Sequence, residues 1–279
     1  MIVLAGISAL QVSAQSLTER IGVCTALRNV PQLQKAGCSY VEIGISSFLI
    51  PTKSDSEFAS NLAEIKASAL PVLSGNGFFP GDIRLTGPDV DMKKIVAYGE
   101  IAIRRAKEAG LKTMVLGSSK ARNIPDGFSR EKAEKQFVSI CKKLGKIAKR
   151  YDIYIALEPL QPSETNFMNT VTEGAAIAKK VNSPYVGVNA DFFHMMRSKE
   201  QPKAIVDAAK YIKHCHIAEL AGRTPPGTDG DDFRPFFRAL RQINYQGEIS
   251  IEAGWKNFDT QVVTAVAEMK RQIKEVEQE

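Results

Sequence analysis

Cysteine and histidine are scarce in this chain of 279 residues, which contains 4 and 3 of them respectively. Cys24, Cys38, Cys141 and Cys215 lie far apart and form no C-x-x-C pair. The sequence therefore predicts neither a disulfide framework nor a structural zinc site. There is also no P-loop, and "SGNGFF" contains only a lone G-x-G, so nucleotide binding is not predicted. No G-x-S-x-G or comparable nucleophile motif occurs.

No large excess of one charge is present either. Lys and Arg number 37 against 31 Asp and Glu, a formal net charge of +6. The basic residues are spread through amphipathic stretches such as "IRRAKEAGLK" and "CKKLGKIAKR" and form no block, so we expect no nucleic-acid partner. A composition of 44% hydrophobic and 24% charged residues is that of a globular protein with a sizeable core.

The first 14 residues, "MIVLAGISALQVSA", carry no charge and end in small residues. They resemble the apolar and cleavage regions of a secretory signal peptide, although the basic region that normally precedes them is missing. This segment is too short to span a bilayer as a helix, so no membrane partner is predicted. We interpret residues 1–14 as the remnant of a signal peptide and residues 15–279 as the catalytic domain, which predicts a periplasmic or exported protein. A buried N-terminal strand in a cytoplasmic protein is the alternative.

From residue 20 onwards, short β-branched runs alternate with longer amphipathic stretches. The predicted strands cover residues 20–26, 39–44, 70–75, 112–117, 153–158, 185–190, 212–218 and 247–253. The predicted helices cover residues 55–68, 89–109, 130–151, 171–181, 205–210, 232–244 and 260–277. Eight strands joined by helices predict an α/β protein with a single (β/α)8 TIM barrel, with an open doubly wound sheet as the alternative.

Polar residues stand where the later strands end, and in such a barrel these ends form the active site. Glu158, Asp191, His216 and Glu252 come from four successive strands, so a barrel would direct them to one point. Three carboxylates in a partly desolvated cleft repel one another unless a cation lies among them. The pattern therefore predicts one divalent metal ion, although each residue alone also fits a helix cap or a surface position.

Carboxylate oxygens with one imidazole suit Mn²⁺, Mg²⁺ or Co²⁺, whereas a structural zinc site favours sulfur and more nitrogen. Mn²⁺ is our first expectation, and Zn²⁺ remains an alternative. His214 shares a strand face with His216, but only the histidine nearer the rim can reach the metal. Asn76, Glu42 and Asn166 also lie at strand ends or in the following loops, and we predict them as substrate contacts.

Four segments together resemble a known family: "IALEPL", "VGVNADFFHM", "HCHIAELAGRTPPGTDGDDF" and "GEISIEAGW". They are similar to the sugar phosphate isomerase/epimerase group of xylose isomerase-like TIM barrels, which includes D-tagatose 3-epimerase-like enzymes. The resemblance covers roughly residues 20–275. It implies that Glu158, Asp191, His216 and Glu252 bind the metal and that Glu158 and Glu252 exchange protons with substrate. It also implies that His194 and Arg223 hold substrate oxygens, with Arg223 at a slightly longer spacing from His216 than in the epimerases.

These residues predict a sugar isomerase or epimerase that moves a proton next to a ketose carbonyl through an enediolate. The same groups could expel a substituent β to the carbonyl, so a lyase or hydratase that cleaves 3-keto-glycosides is the first alternative. A non-catalytic sugar-binding barrel is the second. The expected partner is a small sugar or keto-sugar, and association into a homo-oligomer is left open.

Overall fold

Eight parallel strands form a closed barrel in the computed structural model, which describes residues 16–279. Each strand pairs with the next along the chain, and β8 returns to pair with β1. Closure excludes the open-sheet alternative. The strands β1 to β8 span Ile21–Cys24, Tyr40–Gly44, Val72–Asn76, Thr113–Leu116, Tyr154–Leu157, Val186–Asp191, Ile212–Ile217 and Ile249–Ile251. Residues 1–14, interpreted above as a signal remnant, lie outside the described residues.

Eleven α-helices follow the strands within residues 16–279. Helices α1 to α11 span Val30–Ala36, Ile45–Phe48, Asp55–Ala67, Met92–Ala109, Ser119–Arg122, Arg130–Tyr151, Val171–Val181, Phe192–Arg197, Lys203–Asp207, Arg234–Gln242 and Phe258–Glu277. Short 3-10 helices cover Leu17–Glu19, Leu27–Asn29 and Ala209–Tyr211. Within the described part of the chain, no helix is both long enough and apolar enough to cross a membrane.

Two helices end at a glycine shortly before the next strand begins. Gly37 and Gly110 end α1 and α4 with φ values of 78° and 90°, a conformation that side chains rarely adopt, and their N–H groups donate to the last turn. One predicted helix differs from the structure. The segment predicted as a helix over residues 205–210 is split between α9 and a 3-10 turn, because α9 starts directly after Pro202 and tightens before β7 begins.

The barrel interior is polar on the side of β2, β7 and β8. The Tyr40 ring lies over Gly22 of the adjacent strand β1, where any β-carbon would collide with it. Its hydroxyl lies 2.7 Å from the Ser250 hydroxyl. Above this layer lie Glu42 and His214, both fully buried. The interior therefore leads upwards from an aromatic layer to a layer of ionisable groups.

Connections at the carboxyl ends of the strands differ in length around the barrel. Residues 77–91, 158–170 and 218–233 form long connections after β3, β5 and β7, which we call the long-loop side. Only residues 25–26 separate β1 from the following 3-10 helix, and α2 follows β2 directly. We call the ends of β1 and β2 the short-loop side. The first of the long connections packs against the residues that follow β4, because the N–H groups of Phe79 and Leu85 donate to Ser118 and Ala121.

Candidate metal centre and active site

Four acidic or imidazole side chains meet at the carboxyl end of the barrel. Glu158 follows β5, Asp191 ends β6, His216 lies in β7 and Glu252 follows β8. One potential ligand atom from each lies within 4.8 Å of the others. The Nδ1 atom of His216 lies 2.9 Å from a Glu158 oxygen and 3.1 Å from a Glu252 oxygen. We call these four residues the quartet.

The donor set of the quartet fits a hard divalent cation. It offers three carboxylates and one imidazole, and no sulfur. Burial alone would lower the pKa of His216, but the carboxylates of Glu42 and Glu252 outweigh it and hold that pKa well above its usual range. The quartet therefore concentrates enough negative charge to stabilise a positive charge at its centre, which a metal would supply.

Burial within the quartet is uneven. The side chains of His216, Asp191 and Glu158 are 0%, 1% and 7% exposed, whereas that of Glu252 is 26% exposed. Burial would raise the pKa of Glu252, but His216 and Arg223 outweigh it and lower the pKa to about 2. Glu252 is thus an ionised carboxylate at the accessible edge of the quartet.

Asp191 has two separate functions in the local structure. Its Oδ1 atom caps α8 by accepting hydrogen bonds from the N–H groups of Phe193 (2.8 Å) and His194 (3.3 Å). Its Oδ2 atom faces the quartet, 3.3 Å from the Arg223 guanidinium. Asp191 can therefore cap α8 with one carboxylate oxygen and offer the other to a metal.

His194 is buried, and its hydrogen bonding defines which ring nitrogen carries the proton. Its Nδ1 atom accepts a hydrogen bond from the Gln161 N–H at 3.2 Å, so the proton of the neutral ring lies on Nε2. Nε2 has no hydrogen-bond partner among residues 16–279 and lies 3.5 Å from Asp191 Oδ2. A buried donor without a partner is costly, and a substrate oxygen would remove that cost.

Arg223 reaches the quartet from the connection after β7. Its guanidinium donates to Glu252 Oε2 at 2.5 Å and lies 4.9 Å from the centre of the Phe193 ring. The Arg223 backbone is left-handed, with φ of 53°. This connection is organised by the fully buried Glu219, whose carboxylate accepts the N–H groups of Gly227 (2.7 Å) and Gly230 (3.1 Å).

Glu42 lies below His216 instead of at the rim. Its Oε1 atom is 2.9 Å from His216 Nε2, and its Oε2 atom is 2.8 Å from His214 Nε2. The hydroxyls of Ser74 and Ser250 donate to Oε2 at 2.6 and 2.7 Å. Contact between Glu42 and substrate stays a prediction. Its contacts instead favour orientation of His216, because a carboxylate that accepts one ring N–H leaves the other nitrogen free for a metal.

Asn76 and Asn166 were both predicted as substrate contacts, and the structure separates them. The Asn76 amide donates to Glu252 Oε1 at 2.9 Å, so it holds the accessible carboxylate of the quartet. Asn166 is exposed and forms two hydrogen bonds of 2.9 Å with the backbone of Ile124. Its side chain therefore joins the connection 158–170 to the segment between α5 and α6, and contact between Asn166 and substrate stays a prediction.

Two residues near Glu158 were not singled out from the sequence. The Asn189 amide donates to Glu158 Oε1 at 2.8 Å. Arg122 is fully buried and donates to the carbonyl oxygens of Glu158 (2.7 Å), Gly117 (2.5 Å), Phe167 and Met168. Burial lowers the pKa of Arg122 to about 10. Asn189 had a signal, because it shares a strand face with Asp191. Arg122 lies in the short helix α5, and its contacts depend on the tertiary fold.

A cleft of about 340 Å³ opens beside Glu252 on the short-loop side. Glu252 and Asn76 line it, and no other member of the quartet does. Its remaining lining residues are Cys24, Thr25, Ala26, Glu42, Gly44, Ser47 and Phe48.

Comparisons with known proteins agree with this architecture. A curated L-ribulose 3-epimerase from Methylomonas sp. (strain DH-1) is 30% identical over 241 residues, which cover 82% of this chain and 77% of the relative. A 3-dehydro-D-guloside 4-epimerase from Escherichia coli (strain K12) is 25% identical over 76% of this chain and 83% of its own.

A similar fold is found in the crystal structure of the apo form of 3-keto-D-glucoside 4-epimerase from E. coli. Its TM-score is 0.76 with 20% identity, and the match covers 91% of this chain and 99% of that one. At this identity the likeness shows the fold alone. The family model described as "Xylose isomerase-like TIM barrel" matches residues 30–275. The chain therefore belongs to the xylose isomerase-like TIM barrel family.

Proposed function

We propose that this protein is a divalent-metal-dependent sugar epimerase or isomerase that acts next to a ketose carbonyl. The observation that carries the proposal is the pair of carboxylates, Glu158 and Glu252, on either side of His216 Nδ1 in one cluster. Two relatives that match most of the chain are sugar epimerases, which supports the epimerase over the isomerase.

Glu158, Asp191, His216 and Glu252 would hold the metal, and Mn²⁺ is the ion we propose. When bound, the cation would polarise the carbonyl of a ketose and stabilise the enediolate that forms as a proton leaves the neighbouring carbon. Glu42 keeps the His216 ring oriented by accepting its Nε2 proton.

Proton transfer falls to the two glutamates. Glu252 would remove the proton from carbon, and the Arg223 guanidinium, which donates to its Oε2 atom, would hold the carboxylate in place. Glu158, fixed by Asn189, would deliver a proton taken up from solvent to the same carbon from the other side, which inverts its configuration. Glu252 would release the abstracted proton to solvent, so that the two transfers balance. Arg223 and the Nε2 proton of His194 would hold substrate oxygens while the proton moves.

Solvent exchange tests this proposal. Metal-loaded protein is incubated in D₂O with D-allulose, D-tagatose and 3-keto-glucosides, and recovered sugars are analysed by mass spectrometry and NMR. Deuterium at the carbon next to the carbonyl supports an epimerase or isomerase. Release of the aglycone supports the lyase alternative. Binding without exchange or cleavage supports the non-catalytic barrel.

Metal content gives a second test that does not depend on activity. After loading with Mn²⁺ and desalting, elemental analysis should find one ion per chain. The double variant His216→Ala, Asp191→Asn should lose most of it, while Asn166→Ala, a change on an exposed loop, should retain it. Equal metal content in the double variant would refute the quartet as the metal site.

A further inference from the structure

Among the described residues, the quartet borders the cleft beside Glu252. Glu158, Asp191 and His216 are buried, whereas Glu252 is 26% exposed and lines this 340 Å³ cleft. At the density of liquid water, that volume would hold about ten water molecules. A substrate with its reacting carbon between the two glutamates can therefore extend past Glu252 into this cleft.

Small residues on the short-loop side keep the cleft open. Gly44 has φ of −72° and ψ of 119°, a conformation open to any residue. A β-carbon added there would meet only the side chain of Ser47, at 3.6 Å or more. Ala26 likewise has an extended backbone, with φ of −80° and ψ of 152°. The backbone at Gly44 and Ala26 would thus accept larger side chains. The cleft is open because the side chains at these two positions are small or absent.

The charge of the cleft limits what it can bind. No lysine, arginine or histidine of residues 16–279 lines it, and its two ionisable acids are Glu42 and Glu252. Glu42 is fully buried and paired with two histidines, so a phosphate group would lie beside the Glu252 carboxylate, with no cation among the residues that line the cleft. This arrangement is unfavourable at short range. Hydroxyls of Thr25 and Ser47 and the ring of Phe48 provide polar and apolar surface, as neutral carbohydrate and aromatic groups require.

We infer that the cleft is a subsite for a neutral substituent, so that the substrate is a keto-glycoside and neither a free ketose nor a sugar phosphate. This inference rests on the proposed function, because it assumes that the reacting carbon lies between Glu158 and Glu252. It adds that the substituent on the sugar lies over β1 and β2 and contributes to binding.

A substrate series with matched variants tests the subsite. The probes are D-allulose, D-allulose 6-phosphate, and 3-keto-glucosides with methyl and 4-nitrophenyl aglycones. For each we measure kcat/KM for exchange of the proton next to the carbonyl with D₂O. We expect wild-type kcat/KM to rise from the free ketose to the nitrophenyl glycoside by tenfold or more, with the phosphate poorest.

The variant Gly44→Phe fills the cleft and should lower the glycoside-to-ketose ratio of kcat/KM at least tenfold. The matched control Ser163→Phe adds the same side chain to an exposed position of the connection 158–170 and should change that ratio less than twofold. If Gly44→Phe does not fold, as judged by circular dichroism, Ala26→Phe replaces it, and the wild-type series still decides.

Each outcome has one meaning. A wild-type preference for the free ketose or the phosphate would overturn the subsite and leave the proposed function intact. So would a Gly44→Phe variant that slows all probes alike. Absence of exchange with every probe at saturating Mn²⁺ would refute the proposed function itself.

Discussion

The long-loop and short-loop sides of the barrel mouth differ in how many buried polar contacts hold them. On the long-loop side, Arg122 holds four carbonyl oxygens, and Glu219 accepts backbone N–H groups from its own connection. On the short-loop side, mostly half-buried or exposed residues, several of them small, surround an open cleft. Buried polar contacts thus hold the connections after β5 and β7, whereas the ends of β1 and β2 leave space beside Glu252.

This contrast also distinguishes the two glutamates that we propose as catalytic. Glu158 is 7% exposed and held by Asn189 and the Arg122 clamp, whereas Glu252 is 26% exposed and held by Asn76 and Arg223. A group fixed by buried contacts keeps its position without substrate. We therefore expect the base at the accessible edge to depend more on bound substrate than its buried counterpart.

The largest effect should come from removing either base. Glu158→Gln and Glu252→Gln each keep an oxygen ligand but lose the proton acceptor, so turnover should fall by about 10² to 10⁴. The measurement is product formation together with solvent exchange at saturating metal. Exchange that survives in one variant without product would assign the two glutamates to opposite halves of the reaction. Near-normal turnover in both variants would refute the two-base mechanism.

Buried contacts on the long-loop side should dominate stability. Arg122→Met removes the donor for several buried carbonyl oxygens, and we expect the free energy of unfolding to fall by about 3 kcal/mol or more. Arg28→Met, the same change at an exposed position of the short-loop side, should cost less than about 0.5 kcal/mol. Urea denaturation of both variants checks this, and equal midpoints would show that the two sides do not differ.

Sequence patterns predicted the barrel well because they reflect local physics. Each of the eight predicted strands overlaps an observed one, since β-branched runs between helical stretches read directly as buried parallel strands. The quartet was predicted because residues at strand ends share one rim. Depth within the barrel was not predictable. Glu42 lies beneath His216 because of the strand register, which shifts between Val41 and Glu42 where β2 pairs with β3.

The side-chain contacts of the loops could not be predicted from the sequence either. Arg122 stands in "SSKARN", which reads as an ordinary polar loop, and its partners come from residues up to 46 positions away. Asn166 stays a predicted substrate contact, and nothing in the sequence indicates its hydrogen bonds to Ile124, which only the folded chain brings near. Pairwise contacts of this kind leave no periodic trace in the sequence.

Alanine substitutions at two glycines compare the two sides directly, and we expect a smaller effect on kcat than from removing either base. A β-carbon on Gly117 would collide with the Glu158 carboxylate, whereas one on Gly44 meets only Ser47, at 3.6 Å. Gly117→Ala should therefore displace Glu158 and lower kcat by about 10- to 10²-fold. Gly44→Ala should change kcat less than about twofold, because the added methyl group displaces no group. Similar kcat values for the two variants would mean that Glu158 is not held in place by the long-loop side.

The smallest effect concerns Glu219, which we expect to position Arg223 without touching substrate. Glu219→Gln replaces a carboxylate that accepts several backbone N–H groups by an amide with one acceptor oxygen. The free energy of unfolding should fall by about 1.5 kcal/mol, typical of hydrogen bonds to a charged group. Because Arg223 would hold substrate oxygens, loosening its loop should raise KM more than it lowers kcat.

A matched variant separates positioning from simple stability. Glu200 also accepts two backbone N–H groups, those of Val171 and Thr172 at 2.7 and 3.0 Å, but its contacts lie at the start of α7. Glu200→Gln should therefore lower the melting temperature to a similar extent and leave KM within about twofold of wild type, since distant sites act independently. If Glu219→Gln also lowers stability alone, with KM unchanged, the connection 218–233 holds Arg223 by its other contacts. The carboxylate then serves only the fold of the long-loop side.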